Sequence, residues 1–444
     1  MPPAQPIPPA SADAALEYSR GELSSAEYLA RIALMENPRD ANACFILARL
    51  ALDWNLPGFA ERYAKRALEI NPYLKSAKKA LDEAARHAAA HAPPTAPAPT
   101  SGNATTRFLL IKSWGTGFWS DVRHVLGQLV LADVGGRTPV IHWGERSRFL
   151  PGDGSEGWRN FFNSVSPLGL DDLRGKGLSI YPPCWNENNL GLEKGIDRAA
   201  NLAGPWDLYC LNRPENVVVS NVSIGMWDIA NWIPPSHPWH GLGAEELLRR
   251  AMQKWLRPVA PVLEAVERFA SEHFARRPGK PDAPVTALHL RGTDKVMEDP
   301  DLAAKNEELV RRAGEKLARN PAARLFLLTD TVKELEAARK RWGDALTDPA
   351  GRVLATDCYR SPDNESIHFQ PRENPDDGVR FGREVLVDAL LASRCDELLG
   401  VARSNVTCMI AAMKEWPAGA LTLLGPTFHF PQRIAEIPKA KGKK

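Results

Sequence analysis

The spacing of apolar positions changes character near residue 107. Before it, small and apolar residues recur three and four apart, the spacing of one helix face. "LARIALMENP" ends at Asn37-Pro38 and "AKRALEINP" at Asn71-Pro72, a separation of 34 residues, with Ala26, Ala30 and Ala33 answering to Ala60, Ala64 and Ala67. A 34-residue period of helix pairs is the tetratricopeptide period. Leu47 and Ala48 take the early positions of the second unit, and "YLKSAKKALDEAARHAAA" supplies a capping helix, so residues 11–89 read as two repeats and a cap. Fewer than three repeats rarely stand alone, which implies support from the rest of the chain. The plain alternative is an ordinary helical bundle.

Residues 90–106, "AHAPPTAPAPTSGNATT", have no apolar period and read as an extended linker. Beyond it, short apolar runs alternate with amphipathic ones. "RFLLIKSW" predicts a strand, "GTGF" a turn, "SDVRHVLGQLVLADVGG" a helix opening at Ser120 or Asp121, and "TPVIHW" a second strand. Later, "PVTALHLRG", "ARLFLLTD" and "DELLGVA" predict strands separated by the helical stretches "EELVRRAGEKLARN", "TVKELEAARKRWG" and "GREVLVDALLASRC", with "SNVTCMIAAMKE" closing the series. Such alternation predicts an α/β class with parallel sheets covered on both faces. Two units separated by an irregular stretch, roughly 150 to 240, predict two Rossmann-like lobes, residues 107–255 and 256–438, with a cleft between them.

Composition narrows the function classes. Lys and Arg total 56 against 54 Asp and Glu, so no global field points to nucleic acid or a membrane surface. Cys44, Cys184, Cys210, Cys358, Cys395 and Cys408 form no CxxC pair, which argues against a zinc site or a disulfide framework. The opening "MPPAQPIPPA" lacks a basic and an apolar signal region, and no run reaches membrane-spanning length, so a cytoplasmic protein is expected. Sequons at Asn103, Asn221 and Asn405 matter only to a secreted chain.

Three segments carry candidate chemistry. "ALHLRGTDKVMED" sends a buried strand into Arg291, Gly292, Thr293, Asp294 and Lys295. A guanidinium fork and an ammonium together suit a diphosphate, although pairing with Asp294, Glu298 or Asp299 explains them equally. "ARSNVT" places Ser404 or Asn405 at a helix start, where free N–H groups favour a phosphate, although every helix needs a cap. "GTGFWSDVRH" is a glycine turn before a helix carrying Arg123 and His124. It lacks both GxGxxG and the Walker pattern, and a tight turn alone accounts for it. Asp330 closes a strand, while Asp388 lies in "VLVDALLAS" and needs a partner there, either Arg383 or Arg394, or a base with two N–H donors. Trp185, Trp206, Trp227, Trp232 and Trp239 fit irregular core better than a sugar platform.

Taken in order, the segments resemble one enzyme superfamily. "HLRGTDKV" resembles the Arg-containing strand end of α1,6-fucosyltransferases and the corresponding motif of nodulation and protein O-fucosyltransferases. "GTGFWSDVRHVLGQLVLADVGGRTPVI", "LFLLTD" and "GREVLVDALLASRCDELLGVARSNV" resemble its other motifs, over roughly residues 107 to 415. The resemblance implies a GT-B, inverting glycosyltransferase without an obligatory metal or other cofactor, its donor GDP-fucose or a related GDP-sugar and its acceptor a glycan or polypeptide hydroxyl. On that footing Arg291 holds the β-phosphate, with Lys295 beside it. His289 and Asp388 contact guanine, Ser404 or Asn405 reach the phosphates, and Thr329 and Asp330 line the nucleotide pocket. Gly117 and His124 belong to the first-lobe loop.

Two departures stand out. The paired arginines of the α1,6-enzymes are Arg291-Gly292 here, leaving Arg123 or Lys295 to supply the missing contact. Their proposed glutamate base falls at Asp299, with Glu298 adjacent, so either carboxylate is a candidate base. The repeats add a possible protein partner. Rival readings are a repeat-bearing scaffold with a degenerate GT-B body, and a GT-B enzyme using another nucleotide sugar.

Overall fold

The computed structural model describes residues 9–37, 39–53, 57–90, 107–113, 115–181, 185–192, 215–220, 225–230, 233, 237–274, 283–293, 299, 301–363, 367 and 373–425. Most of the expected linker, Cys184, Cys210, Trp206, Trp232, Asn103, Asn221, Asp294, Lys295, Glu298 and the end of the second lobe lie outside these residues.

Five helices open the chain: α1 (Pro9–Ser19), α2 (Leu23–Glu36), α3 (Ala41–Asp53), α4 (Pro57–Ile70) and α5 (Lys75–Ala90). The starts of α2 and α3 recur 34 residues later in α4 and α5. Ala26, Ala30 and Ala33 on α2 and Ala60, Ala64 and Ala67 on α4 are fully buried, because only small side chains let neighbouring helices approach so closely. Asp40 caps α3, its Oδ1 accepting the N–H groups of Asn42 and Ala43 at 2.9 Å.

The body holds two parallel sheets. The first contains β1 (Phe108–Lys112), β2 (Thr138–His142), β3 (Ile180–Tyr181) and β4 (Val217–Ser220), in the order β2-β1-β4-β3. Helix α6 (Phe118–Val134) connects β1 to β2; α7 (Met226–Ala230) and α8 (Ala244–Trp255) follow β4. The second contains β5 (Val285–Leu290), β6 (Arg324–Thr329), β7 (Val353–Leu354), β8 (Glu397–Val401) and β9 (Leu421–Leu424), in the order β7-β6-β5-β8-β9. Its helices are α9 (Ala260–His273), α10 (Leu302–Arg319), α11 (Val332–Trp342), α12 (Asp377–Arg394) and α13 (Asn405–Ala412).

Alternation within the strands shows why helices cover both faces. Ala287, Phe326 and Leu328 join the core under α9 and α12, whereas Leu288, Leu290, Leu325 and Leu327 join a separate core with Leu309 of α10 and Leu335 of α11. All six residues of β5 are buried, the signature of a central parallel strand. The fold is therefore the expected α/β class with two Rossmann-like lobes. Strand order reverses beside β1 in one sheet and beside β5 in the other, and ligands of such sheets bind beyond the carboxyl ends at those reversals.

Aromatic packing joins the lobes. Phe118, at the start of α6, contacts Trp119, Trp143, Phe149 and Phe161 edge-on at 5.0–6.1 Å between ring centroids. Gly382 of α12 lies against this cluster, where a Cβ would stand 2.5 Å from the Phe161 ring. Trp185 is buried beside β1, consistent with a filling role. Among the described residues no helix is long and apolar enough to cross a membrane.

Candidate functional site

The register of β5 on β6 sets Leu290 opposite Thr329, so the next residues, Arg291 and Asp330, leave the sheet side by side. Arg291 Nη1 lies 2.8 Å from Asp330 Oδ2, and the same carboxylate accepts the Gly292 N–H at 2.9 Å and the Thr293 hydroxyl at 2.7 Å. Burial pushes the Asp330 carboxyl up, but Arg291 and these two donors bring it below the ordinary value, so it stays ionised. Asn306 of α10 donates to the Arg291 carbonyl at 2.7 Å. Arg291 is thus held by one neighbouring strand and one helix. A buried pair of this kind contributes orientation more than stability.

Gly292 explains one departure noted above. A Cβ there would stand 2.7 Å from Cγ2 of Thr331, which is itself fully buried and caps α11 by accepting the Glu334 N–H. A second arginine has no room at this position. Beside Arg291, His289 accepts or donates at 2.6 Å to the Thr407 hydroxyl, and burial together with the nearby guanidinium lowers its pKa to about 3. The imidazole is neutral at ordinary pH.

On the other side of β5, β8 turns through Ser404 into α13. Ser404 is the N-cap residue, yet its side chain makes no capping bond, so it is not consumed by the helix. The Asn405 side-chain Oδ1 accepts from Arg123 Nη1 of α6 at 3.1 Å, a contact between the lobes. Opposite them, Gly115 adopts φ +81° in the turn after β1, and Asp121 gathers the N–H groups of Gly115 and Thr116. This internal bracing starts α6 at Phe118, two residues before the expected Ser120, because Gly117 is extended and Phe118 and Trp119 are needed in the aromatic cluster.

These pieces enclose a cavity of about 400 Å³, lined by Gly117, His289, Arg291, Thr329, Asp330, Asp388, Ser404 and Asn405. It also meets Arg148, Tyr359, Phe381 and Glu384, none of which the sequence singled out. Their segments carry no motif spacing; Glu384, one turn before Asp388 on α12, had a readable signal in that i, i+4 relation. Tyr359 and Phe381 lie 4.8 Å apart, and the Tyr359 N–H donates to Glu384 at 2.8 Å.

Asp388 departs from its expected partners. Thr356 Oγ1 donates to one oxygen at 2.5 Å and Cys358 Sγ to the other at 3.2 Å. Arg383 instead reaches the Asn160 carbonyl, and Arg394 pairs with Glu267. Burial raises the Asp388 carboxyl, opposed by Thr356, Arg360 and Cys358.

Two expected residues stand away from the cavity. His124 faces inward, its Nε2 3.0 Å from the Lys112 carbonyl, because its position on α6 turns it toward the buried sheet rather than toward the glycine turn. Asp299 does not line the cavity; Lys305 contacts both of its oxygens at 2.6 Å. Among the described residues no group of three His, Cys, Asp or Glu side chains is placed to hold a metal.

No family model matches the chain, and no curated protein sequence matches it. Solved structures do. Fucosyltransferase NodZ from Bradyrhizobium is 17% identical, with a TM-score of 0.45 over 69% of this chain and 92% of that one. POFUT1 in complex with GDP is 13% identical, with a TM-score of 0.43 over 73% of this chain and all of that one. An Arabidopsis thaliana FUT1 mutant in complex with GDP is 12% identical, with a TM-score of 0.42 over 74% and 72% of the two chains.

Proposed function

We propose that the chain is an inverting GT-B glycosyltransferase that takes a GDP-sugar, in the simplest case GDP-fucose, and transfers the sugar to a glycan or polypeptide hydroxyl. One observation carries the reading. Arg291, locked by Asp330 at the strand reversal, shares a cavity wall with the start of α13, and both face the glycine turn of the other lobe. The motif order seen in the sequence supports the same class.

In this arrangement Arg291 and the α13 N–H groups stabilise the diphosphate as it leaves, the preorganised electrostatics on which such a transfer depends. Neutral His289 donates or accepts without adding charge. Asp388 meets the base. Asp299 is engaged by Lys305, which leaves Glu298 as the carboxylate that takes the acceptor proton. The 34-residue pairing of α2–α3 with α4–α5 supports a tetratricopeptide-like region that docks a protein partner, in a cytoplasmic enzyme.

Calorimetric titration with GDP and UDP, with and without magnesium, tests the proposal. Metal-independent GDP binding that Arg291→Ala weakens by at least about tenfold is expected for a charged hydrogen bond to phosphate. Folded wild-type protein that binds neither nucleotide would sink it and favour a scaffold.

A further inference from the structure

The cavity wall around residues 356–360 is organised by a charge that no sequence pattern marks. Arg360 is 8% exposed, and its Nη1 donates to the carbonyls of both Thr356 and Cys358 at 2.9 Å. Its Nε and Nη2 are buried with no hydrogen-bond partner among the described residues. In an extended segment, residues two apart turn their side chains to one face and their carbonyls to one edge. One guanidinium therefore fixes both peptide groups at once. The Thr356 hydroxyl and the Cys358 thiol are delivered together onto Asp388, one to each oxygen.

A carboxylate offers about four lone-pair positions, two on each oxygen. The protein uses one on each, which leaves a matched pair. We propose that Arg360 is the positioning residue of the nucleobase pocket: by holding residues 356–358 it keeps Asp388 an acceptor with one unused lone pair on each oxygen, the complement of a base edge carrying two adjacent N–H donors. The inference rests on the nucleotide reading above and adds a source of base selectivity to it. Uracil, with a single N–H between two carbonyls, fits that pair of acceptors poorly, and guanine fits it well. Arg360 touches no reacting atom and acts only through Thr356, Cys358 and Asp388.

The test compares full-length wild-type, Arg360→Gln, Arg360→Lys and Thr356→Val proteins by calorimetric titration with GDP, UDP and inorganic pyrophosphate. Loss of one charged hydrogen bond predicts GDP binding about tenfold weaker in Arg360→Gln and in Thr356→Val, with pyrophosphate binding unchanged and the preference for GDP over UDP reduced. Arg360→Lys recovers part of that preference, since an ammonium reaches either carbonyl. A purely structural role would weaken pyrophosphate and GDP together, and that result overturns the proposal. So does GDP affinity in the folded variants within about twofold of wild type. If Arg360→Gln fails to fold, Thr356→Val decides alone, because valine matches threonine in shape and deletes a single donor. Wild-type protein that binds pyrophosphate but prefers neither nucleotide refutes the base pocket while leaving the phosphate site standing. Failure to bind any of the three instead refutes the nucleotide reading itself.

Discussion

Adding one methyl group at Gly292 tests how Arg291 is held. The new Cβ would meet Thr331 Cγ2 at 2.7 Å, whereas ordinary contact begins at 3.4 Å, and Thr331 is fully buried with its hydroxyl committed to capping α11. Overpacking of this sort costs about 1–3 kcal/mol. Weakening the cap adds some part of the roughly 0.5–2 kcal/mol that a cap is worth. Against these, alanine loses less unfolded-chain entropy than glycine, about 0.4–1 kcal/mol in its favour where φ is compatible. The φ of Gly292 is not in the left-handed range, so that credit applies. Gly292→Ala should therefore destabilise by about 2 kcal/mol, lowering the melting temperature by roughly 4–8 °C in a lobe of this size. Thr331→Ser deletes the obstructing methyl and keeps the capping hydroxyl. Alone it costs about 1 kcal/mol. Combined with Gly292→Ala, it should recover about 1 kcal/mol of coupling in a double-mutant cycle followed by circular dichroism. A Gly292→Ala protein that melts like wild type, or strict additivity in the cycle, would refute the packing argument.

Two further outcomes concern His289 and Glu298. His289 has a folded pKa of about 3 against roughly 6.5 when unfolded, so between these values only the unfolded chain takes the proton. Its contribution is complete above about pH 6.5 and declines as pH falls, by up to about 1.4 kcal/mol per pH unit. His289→Gln should flatten the loss of melting temperature on acidification, and equal slopes in the two proteins would count against a neutral buried imidazole. Glu298→Gln should retain GDP affinity while transfer to a hydroxyl acceptor drops by about 10²–10⁴-fold, the usual worth of a general base; full turnover in that variant removes Glu298 from the role.

The period of apolar residues made β5, β6 and β8 and the helices between them legible, because a buried parallel strand and an amphipathic helix write themselves locally. Pairings across the sheet were not. Arg291 pairs with Asp330, 39 residues away and adjacent only through the β5–β6 register, a contact that its place in the sequence does not mark. Asp388 had arginines close on its own helix, but those guanidiniums point to Asn160 and Glu267, and its donors come from the loop after β7. His124 shows the converse error. Its sequence neighbours form the glycine turn, but helical rotation carries its side chain to the opposite side.

The short margins of the two sheets bear on how the chain survives its own synthesis. Among the described residues, strands β3 and β7 are two residues long, and β2, the other margin of the first sheet, carries Pro139, which lacks an N–H to offer an incoming strand. Among the described residues, three of the four margins are thereby poor templates for cross-chain pairing. The fourth, β9, reads Leu-Thr-Leu-Leu, with Leu421 exposed. If partly folded chains coalesce, polymerisation should begin at β9, where a lysine in place of Leu421 is the economical gatekeeper.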